Sequence, residues 1–311
     1  MAHAPYFADV ADGPAEAQPA WLRTADELRV RVVTWPLSSA KGTVLLFPGR
    51  TEYCEKYARA AVDFHARGYA VITIDWRGQG LADRILPDAR IGHVGDFADY
   101  QHDVRAMLAH ARQTGLPEPY FLVAHSMGGC IGLRALMENL PVKAAMFSAP
   151  MWGINLSRAM RPVAWGLSGA SRALRIDLRI APGQRADNYL NRTTLLENAL
   201  TRDADMFGYM QRQLDAHPEL GLGGPSLWWL NRSLREMRAL SQRPTPRHPA
   251  ISFLGTDETI VDPARVRARM ADWPNGELHV VQGGKHEMMM DTPETRRALY
   301  DKTAAFFARH A

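Results

Sequence analysis

Short apolar runs alternate with amphipathic helical patterns along most of the chain, and this alternation limits the possible folds more than any other feature. Four such runs are GTVLLF (42–47), YAVITID (69–75), YFLVAHS (120–126) and AAMFSAP (144–150), with helical stretches between them. Apolar runs of this length, separated by helices, are typical of βα units that wind around a mostly parallel sheet. The sequence therefore predicts an α/β fold.

The alternation is interrupted between residues 151 and 243, where the chain is rich in Arg, Leu and Trp. This segment has irregular helical patterns, and the run AISFLG (250–255) restarts the alternation after a Pro-rich breaker. We therefore expect residues 151–243 to form a helical cap that is inserted into a core of residues 21–150 and 244–311. Residues 1–20, rich in Ala and Pro, are expected to form a loose N-terminal segment.

Composition and charge restrict the class of protein further. The chain has 311 residues, 46% hydrophobic and 23% charged, which is enough for a large core. Its formal net charge of +4 is spread over scattered arginines, so we expect no nucleic-acid partner. The two cysteines, Cys54 and Cys130, have no metal-ligand spacing and are too few for a disulfide framework.

The same composition bears on location. Two cysteines in a chain of this length are typical of a reducing compartment. The stretch MAHAPYFADVADGPAEAQPAW lacks the basic start and apolar centre of a secretory signal, and no apolar run approaches the roughly 18 residues of a membrane span. We therefore expect a soluble, cytoplasmic protein. Peripheral contact of the cap with lipid stays an alternative, and no oligomeric state is indicated.

The stretch VAHSMGG (123–129) carries the strongest chemical signal. An apolar strand runs into a turn of small residues and then into an apolar helix, which is the context of a nucleophile elbow. Ala124 stands where the GxSxG pattern has its first glycine, and its small volume still fits. This predicts Ser126 as a nucleophile with the N–H group of Met127 positioned to stabilise an oxyanion. The alternative is a strand-to-helix turn with an idle serine.

Six stretches together resemble a known family, the α/β-hydrolases, and within it the bacterial lysophospholipases and monoacylglycerol lipases of the serine aminopeptidase S33 type. In chain order they are FPGRTEYCEKY (47–57), IDWRGQGLADR (74–84), HVGDFADYQHDV (93–104), AHSMGG (124–129), GTDETIVDP (255–263) and GGKHEMMMD (283–291). The resemblance implies an α/β-hydrolase fold, a mostly parallel twisted sheet flanked by helices, and a serine hydrolase mechanism without a metal or organic cofactor.

The resemblance also implies the second oxyanion donor. In the family this donor is a backbone N–H group just after a His-Gly pair, and Pro48 replaces that histidine here. The residue after Gly49 is Arg50, whose main-chain N–H group is therefore expected to act beside that of Met127. Its side chain is expected to contact Glu52, an anionic group of the substrate, or solvent.

Chain order selects the general base among several histidines, because α/β-hydrolases carry Ser, acid and His in that order. Of the histidines after residue 216, only His286 follows the last predicted strand in a Gly-Gly loop. We therefore expect His286 to take the proton from Ser126. His125, beside the nucleophile, is expected to point away from the site.

Three acids in FLGTDETIVDP (253–263) are candidates for the third member of the triad. Asp262 precedes Pro263 and a helical pattern, so we expect it to cap that helix. Asp257 and Glu258 are neighbours that point to opposite sides of an extended chain. The family pattern favours Glu258, and Asp257 stays an alternative.

The cap is expected to select the substrate. Four tryptophans in or beside it would form an apolar wall for an acyl chain or pack its helices: Trp152, Trp165, Trp228 and Trp229. The leading hypothesis is a serine carboxylic ester hydrolase that acts through an acyl-enzyme on a lysophospholipid or monoacylglycerol. The alternatives are a short-chain or aromatic carboxylesterase, an S33-type aminopeptidase, and a catalytically silent ligand-binding protein of the same fold.

Overall fold

The computed structural model of the protein describes residues 3–311 and contains one eight-stranded sheet flanked by helices. The strands are β1 (Gln18–Arg23), β2 (Arg29–Trp35), β3 (Thr43–Phe47), β4 (Ala70–Asp75), β5 (Tyr120–His125), β6 (Ala145–Ser148), β7 (Ala250–Gly255) and β8 (Gly276–Val281). The helices are α1 (Ala8–Ala11), α2 (Ala58–His65), α3 (Tyr100–Gln113), α4 (Met127–Met137), α5 (Met160–Ala170), α6 (Ala204–Ala216), α7 (Leu227–Ser241), α8 (Pro263–Ala271) and α9 (Pro293–Arg309).

The sheet is mostly parallel, in the order β1-β2-β4-β3-β5-β6-β7-β8. Strands β4, β3, β5, β6, β7 and β8 pair in parallel, whereas β2 is antiparallel to both of its neighbours. The predicted α/β fold is therefore confirmed. The antiparallel β1–β2 pair precedes the first predicted run and was not anticipated.

The central strands have continuous apolar sequences because helices cover both faces of the sheet. Every residue of β3, β4, β5, β6 and β7 is buried. In such sheets, ligands bind outside the carboxyl ends of the strands. We therefore expect a ligand-binding site among the loops that follow β3, β5, β7 and β8.

Three helices, α5, α6 and α7, fall between β6 and β7, in the segment that we expect to be a cap. Ser226 caps the N-terminus of helix α7. Its Oγ accepts the N–H of Trp229 at 3.0 Å and lies 2.8 Å from Nδ1 of His93. This contact joins the start of α7 to the loop before α3. The division of the chain at residues 151 and 243 stays a prediction.

Three carbonyl groups of the N-terminal segment accept hydrogen bonds from the core and from α6. The hydroxyl of Tyr209 donates to the carbonyl of Ala11 at 2.5 Å, and Gln213 Nε2 donates to the carbonyl of Val10 at 3.0 Å. Arg31, which is fully buried, donates to the carbonyl of Pro5 at 2.9 Å. The loose character expected for residues 1–20 stays a prediction. Met1 and Ala2 lie outside the described residues.

Within residues 3–311, no helix combines the length and the apolar character that crossing a membrane would need.

Candidate active site

Ser126 occupies a strained turn between β5 and α4. Its backbone has φ 48° and ψ −116°, a conformation that L-residues rarely adopt and that is found at functional turns. A Cβ atom on Gly128 would lie 2.1 Å from the carbonyl oxygen of Phe47, so only glycine allows α4 to approach β3 this closely. This is the geometry of a nucleophile elbow.

His286 and Glu258 meet at the carboxyl ends of the neighbouring strands β8 and β7. Nδ1 of His286 lies 2.6 Å from Oε2 of Glu258, and both side chains are buried. The other carboxylate oxygen, Oε1, accepts the N–H groups of Ile260 at 2.5 Å and Val261 at 3.1 Å. Burial would raise the pKa of Glu258, but His286 and these two N–H groups outweigh burial and lower it. Glu258 is therefore held as a carboxylate against the imidazole.

The other two acids of the cluster face elsewhere. Asp257 is exposed, and its carboxylate accepts the hydroxyl of Thr256 at 3.0 Å. Asp262 caps α8 by accepting the N–H of Ala264 at 3.0 Å, which confirms the predicted cap, and it also pairs with Arg161 at 2.8 Å. The structure thus brings Glu258, and not Asp257, to His286.

Ser126 and His286 line one cavity of about 310 Å³, which we call the Ser126 cavity. Apolar side chains such as Leu190, Leu200 and Ile260 contribute to its wall. Among residues 3–311, no hydrogen bond joins Oγ of Ser126 to Nε2 of His286. Contacts of this kind commonly tighten only when substrate binds. None of the four cap tryptophans lines the Ser126 cavity, whereas Trp152 and Trp165 line a separate cavity.

The two expected oxyanion donors follow the ends of adjacent strands. Arg50 follows β3, and Met127 follows Ser126 at the end of β5, the parallel neighbour of β3. Within residues 3–311, neither backbone N–H group donates a hydrogen bond, whereas that of Gly49 is taken by the carboxylate of Glu52. Two free N–H groups at this edge of the sheet fit the role of an oxyanion hole.

The side chain of Arg50 does not contact Glu52, which was one of our expectations, and it is only partly exposed to solvent. Glu52 pairs instead with Lys56, at 2.6 Å between Oε1 and Nζ. Nη1 of Arg50 donates to the carbonyl of Gly223 at 2.9 Å, next to the start of α7. The approach of residue 223 to residue 50 depends on how the cap segment folds, so the sequence alone could not place this side chain.

A buried ion-pair cluster of Glu52, Lys56, His125 and Glu287 adjoins the site, and all of its members except His125 line the Ser126 cavity. Nζ of Lys56 is 2.6 Å from Oε1 of Glu52 and 2.6 Å from Oε1 of Glu287. Nε2 of His125 is 3.3 Å from Oε2 of Glu287, and Nδ1 of His125 is 3.0 Å from the carbonyl of Ser148. The ring of His125 lies 4.8 Å from that of His286, between centroids, but His125 does not line the Ser126 cavity. The cluster itself was missed, because only the i,i+4 spacing of Glu52 and Lys56 hinted at it.

The charges of this cluster balance when His125 is protonated, with two carboxylates facing two cations. Burial would lower the pKa of His125, but Glu287 and Glu52 raise it above its ordinary value. Burial would raise the pKa of Glu287, but His125 and Lys56 hold it well below the usual range. His125 directly precedes Ser126 in the chain, and Glu287 directly follows His286. The cluster connects both of them to Glu52, which lies in the loop that carries Arg50.

Glu52, His125 and Glu287 also present ligand atoms within 4.8 Å of one another, the arrangement of a metal site. The ammonium group of Lys56 already lies between the two carboxylates and supplies the positive charge there. We therefore describe these residues as an ion-pair cluster.

Comparison with known proteins agrees with the geometry. A sequence model of the family described as serine aminopeptidase, S33, matches residues 38–293. The chain belongs to this family. The resemblance to α/β-hydrolases is therefore confirmed, and the protein is a hydrolase of that fold.

Two relatives of similar length are named as lysophospholipases. Lysophospholipase L2 of Escherichia coli strain K12 is 29% identical over 295 residues, which are 92% of this chain and 86% of that protein. The probable lysophospholipase L2 of Haemophilus influenzae is 28% identical over 279 residues, which are 87% of this chain and 85% of that protein.

The solved structures share the fold. A soluble variant of the monoglyceride lipase of Saccharomyces cerevisiae, in complex with a substrate analog, superposes with a TM-score of 0.73 at 21% identity and covers 99% of each chain. A thermostable carboxyl esterase from Bacillus coagulans in complex with glycerol gives 0.72 at 14% identity, over 96% of this chain and 99% of that one.

Proposed function

We propose that the protein is a serine ester hydrolase that cleaves a monoacyl lipid ester, a lysophospholipid or a monoacylglycerol, through an acyl-enzyme. The observation that carries this proposal is that Ser126 and the Glu258-held His286 line the same cavity. The names of the curated relatives support lipid as the substrate class.

The proposed first step is acyl transfer to Ser126. Nε2 of His286 accepts the proton of the Ser126 hydroxyl while Oγ attacks the ester carbonyl. Glu258 accepts the Nδ1–H group, which keeps Nε2 free to act as a base and stabilises the imidazolium that forms. The N–H groups of Arg50 and Met127 then stabilise the negative charge on the carbonyl oxygen.

The leaving alcohol and the acyl group depart in turn. The imidazolium of His286 protonates the alcohol oxygen as the ester bond breaks, which leaves the acyl group on Ser126. Water, activated by the neutral His286, then attacks the acyl-enzyme and releases a fatty acid. The balance needs only water and ester, so no cofactor enters the proposal.

A substrate panel tests the proposal. We expect hydrolysis of lysophosphatidylcholine and monoacylglycerol, and a kcat/KM on p-nitrophenyl esters that rises with acyl length, because apolar wall residues of the cavity bury more of a longer chain. An aminoacyl anilide is included because of the aminopeptidase description of the family. Turnover of the anilide alone, or of short esters alone, would contradict the lipid proposal.

The control for this panel is Ser126→Ala, with labelling by a fluorophosphonate probe. The probe reacts with an activated serine, so label should appear on the native protein and be lost in the variant. If the native protein takes no Ser126-dependent label and hydrolyses nothing in the panel, the alternative of a silent ligand-binding protein is favoured.

We also propose that the cap segment contacts an anionic lipid surface. Its exposed large apolar side chains are Met160, Val163, Leu174, Leu178 and Leu196. Exposed arginines are interspersed with them, at Arg158, Arg161, Arg172, Arg175, Arg179, Arg185 and Arg192. Apolar side chains among arginines are typical of a surface that binds the headgroup region of acidic membranes. A cytoplasmic location stays a prediction of the sequence.

Vesicle sedimentation measures this contact. The protein should sediment with phosphatidylglycerol vesicles more than with phosphatidylcholine vesicles, and less so as salt is raised. The double variant Leu174→Gln/Leu178→Gln should bind less, whereas Val280→Gln, which changes an exposed side chain on β8, should bind as the native protein does. Equal binding by all three proteins, or none by the native one, would contradict the contact.

A further inference from the structure

Arg50 carries, besides its backbone N–H group, a guanidinium that has no carboxylate partner within residues 3–311. Nη1 donates to the carbonyl of Gly223, whereas Nε and Nη2 donate to no residue of the described chain. Neither of these two nitrogens is sealed from solvent, although the side chain is largely covered. Two donors of Arg50 are therefore available to a ligand.

The guanidinium of Arg50 is held by its neighbours beside the Ser126 cavity, which both Arg50 and Gly223 line. Its Cζ lies 5.5 Å from the centroid of the Trp229 ring, in addition to the hydrogen bond to Gly223. A Cβ atom on Gly92 would lie 2.9 Å from Nη1, so glycine at this position leaves room for the charged group. The cation is thus fixed at the same cavity as the candidate nucleophile.

Covering this cation without a counter-ion has an electrostatic cost. Burial lowers the pKa of Arg50 to about 10, which still leaves the side chain charged at neutral pH. A partly desolvated guanidinium gains most from an oxygen anion, because it donates parallel, charge-assisted hydrogen bonds. An anion at Nε and Nη2 would offset the cost of burial.

The other charges at the cavity do not supply that anion. Glu52 and Glu287 are both held by Lys56, and Asp187 is exposed and pairs with no cation within residues 3–311. Arg192, also exposed, adds a second positive charge to the cavity wall. Among residues 3–311, the cavity wall thus carries three cations and three carboxylates, and none of these carboxylates pairs with Arg50.

We propose that the guanidinium of Arg50 binds a phosphate group of the substrate, so that phosphate-bearing monoacyl esters are preferred over neutral monoacylglycerols. The proposal rests on ester hydrolysis at Ser126 as proposed above. An arginine side chain and a glycerol backbone are of similar length. When the ester carbonyl of a substrate is bound by the N–H groups of Arg50 and Met127, the head group of that substrate is therefore within reach of the Arg50 side chain.

The test compares two water-soluble substrates, 1-octanoylglycerol 3-phosphate and 1-octanoylglycerol, both below their micellar concentrations so that no lipid surface contributes. The native protein should have the higher kcat/KM for the phosphate ester. Arg50→Gln should lower the ratio of the two kcat/KM values by about 10- to 100-fold, the value of a charge-assisted hydrogen bond. Arg50→Lys should lower it less, because it keeps the charge and loses the planar fork.

The matched control is Arg297→Gln, which removes the same charge from an exposed position on α9 and should leave the ratio unchanged. Both substrates are measured on one preparation, so the ratio does not depend on how much of a variant is folded. Should Arg50→Gln be inactive on both, binding of the two substrates to Ser126→Ala and to Ser126→Ala/Arg50→Gln gives the same comparison. An equal ratio in the native protein and Arg50→Gln, or an equal loss in Arg297→Gln, overturns the proposal.

Two further outcomes distinguish a failure of this inference from a failure of the proposed function. Ser126-dependent hydrolysis of both substrates without a phosphate preference overturns the role of Arg50 and leaves the proposed function intact. Hydrolysis of neither substrate overturns the proposed function. Inorganic phosphate added to the neutral assay separates the two sources of phosphate: an Arg50-dependent change in its rate, found together with no preference for the phosphate ester, would assign these donors to free phosphate and overturn the proposal.

Discussion

Glu258→Gln should lower kcat/KM for ester hydrolysis by about 10³- to 10⁴-fold, the loss found when the acid of such a triad becomes an amide. The amide of glutamine can donate to Nδ1 of His286, at the position where Oε2 now lies 2.6 Å away. Donation to Nδ1 favours the tautomer with its proton on Nε2, and that tautomer cannot accept the proton of Ser126.

The matched control for this change is its neighbour. Asp257→Asn alters an exposed carboxylate that contacts Thr256, so we expect activity close to that of the native protein. Steady-state kinetics on one ester substrate, with thermal unfolding recorded for both variants, makes the comparison. Loss of activity in Asp257→Asn with little change in Glu258→Gln would assign the triad acid to Asp257 and refute the pairing described here.

Lys56→Met should lower the free energy of unfolding by about 3–5 kcal/mol, the cost of removing one partner of a buried ion pair. Methionine has a similar volume, so the loss comes mainly from charge. Glu52 and Glu287 would stay buried after the ammonium that joins them at 2.6 Å is removed. Urea denaturation followed by tryptophan fluorescence measures the effect.

Lys302→Met serves as the control, because Lys302 is exposed on α9 and a surface change of this kind is worth about 0.5 kcal/mol or less. The double variant Lys56→Met/Glu287→Gln should recover part of the lost free energy of unfolding. It removes one of the two buried carboxylate charges that Lys56→Met leaves without the ammonium group. An effect of Lys56→Met no larger than that of Lys302→Met would show that the ion-pair cluster contributes little to stability.

The parts of the fold that the sequence predicted are those with local causes. A short continuous apolar run bounded by turn residues is typical of a buried strand, so β3 to β7 could be located without a structure. The turn at Ser126 likewise follows from a strand, small residues and a helix that are contiguous in the chain. Ser126 and His286 were proposed from such local patterns and from chain order.

The sequence left Asp257 and Glu258 open because adjacent side chains differ only in the side of the chain that they face. In the structure, the N–H groups of Ile260 and Val261 orient the carboxylate of Glu258 toward His286. The hydrogen bonds to the carbonyl groups of Pro5 and Val10 could not be predicted for a similar reason, since their donors lie on β2 and α6.

The chain pattern by itself therefore determined the α/β architecture and the elbow, because each depends on residues that are close in sequence, whereas the resemblance to the α/β-hydrolases implied Glu258 and the N–H group of Arg50. Only the tertiary structure decided what surrounds them. Lys56 and Glu287 are 231 residues apart, and Arg50 and Gly223 are 173 apart. Buried charges at such contacts produce no periodic pattern in the sequence. The partner that stabilises each charge comes within hydrogen-bond distance only when the chain folds.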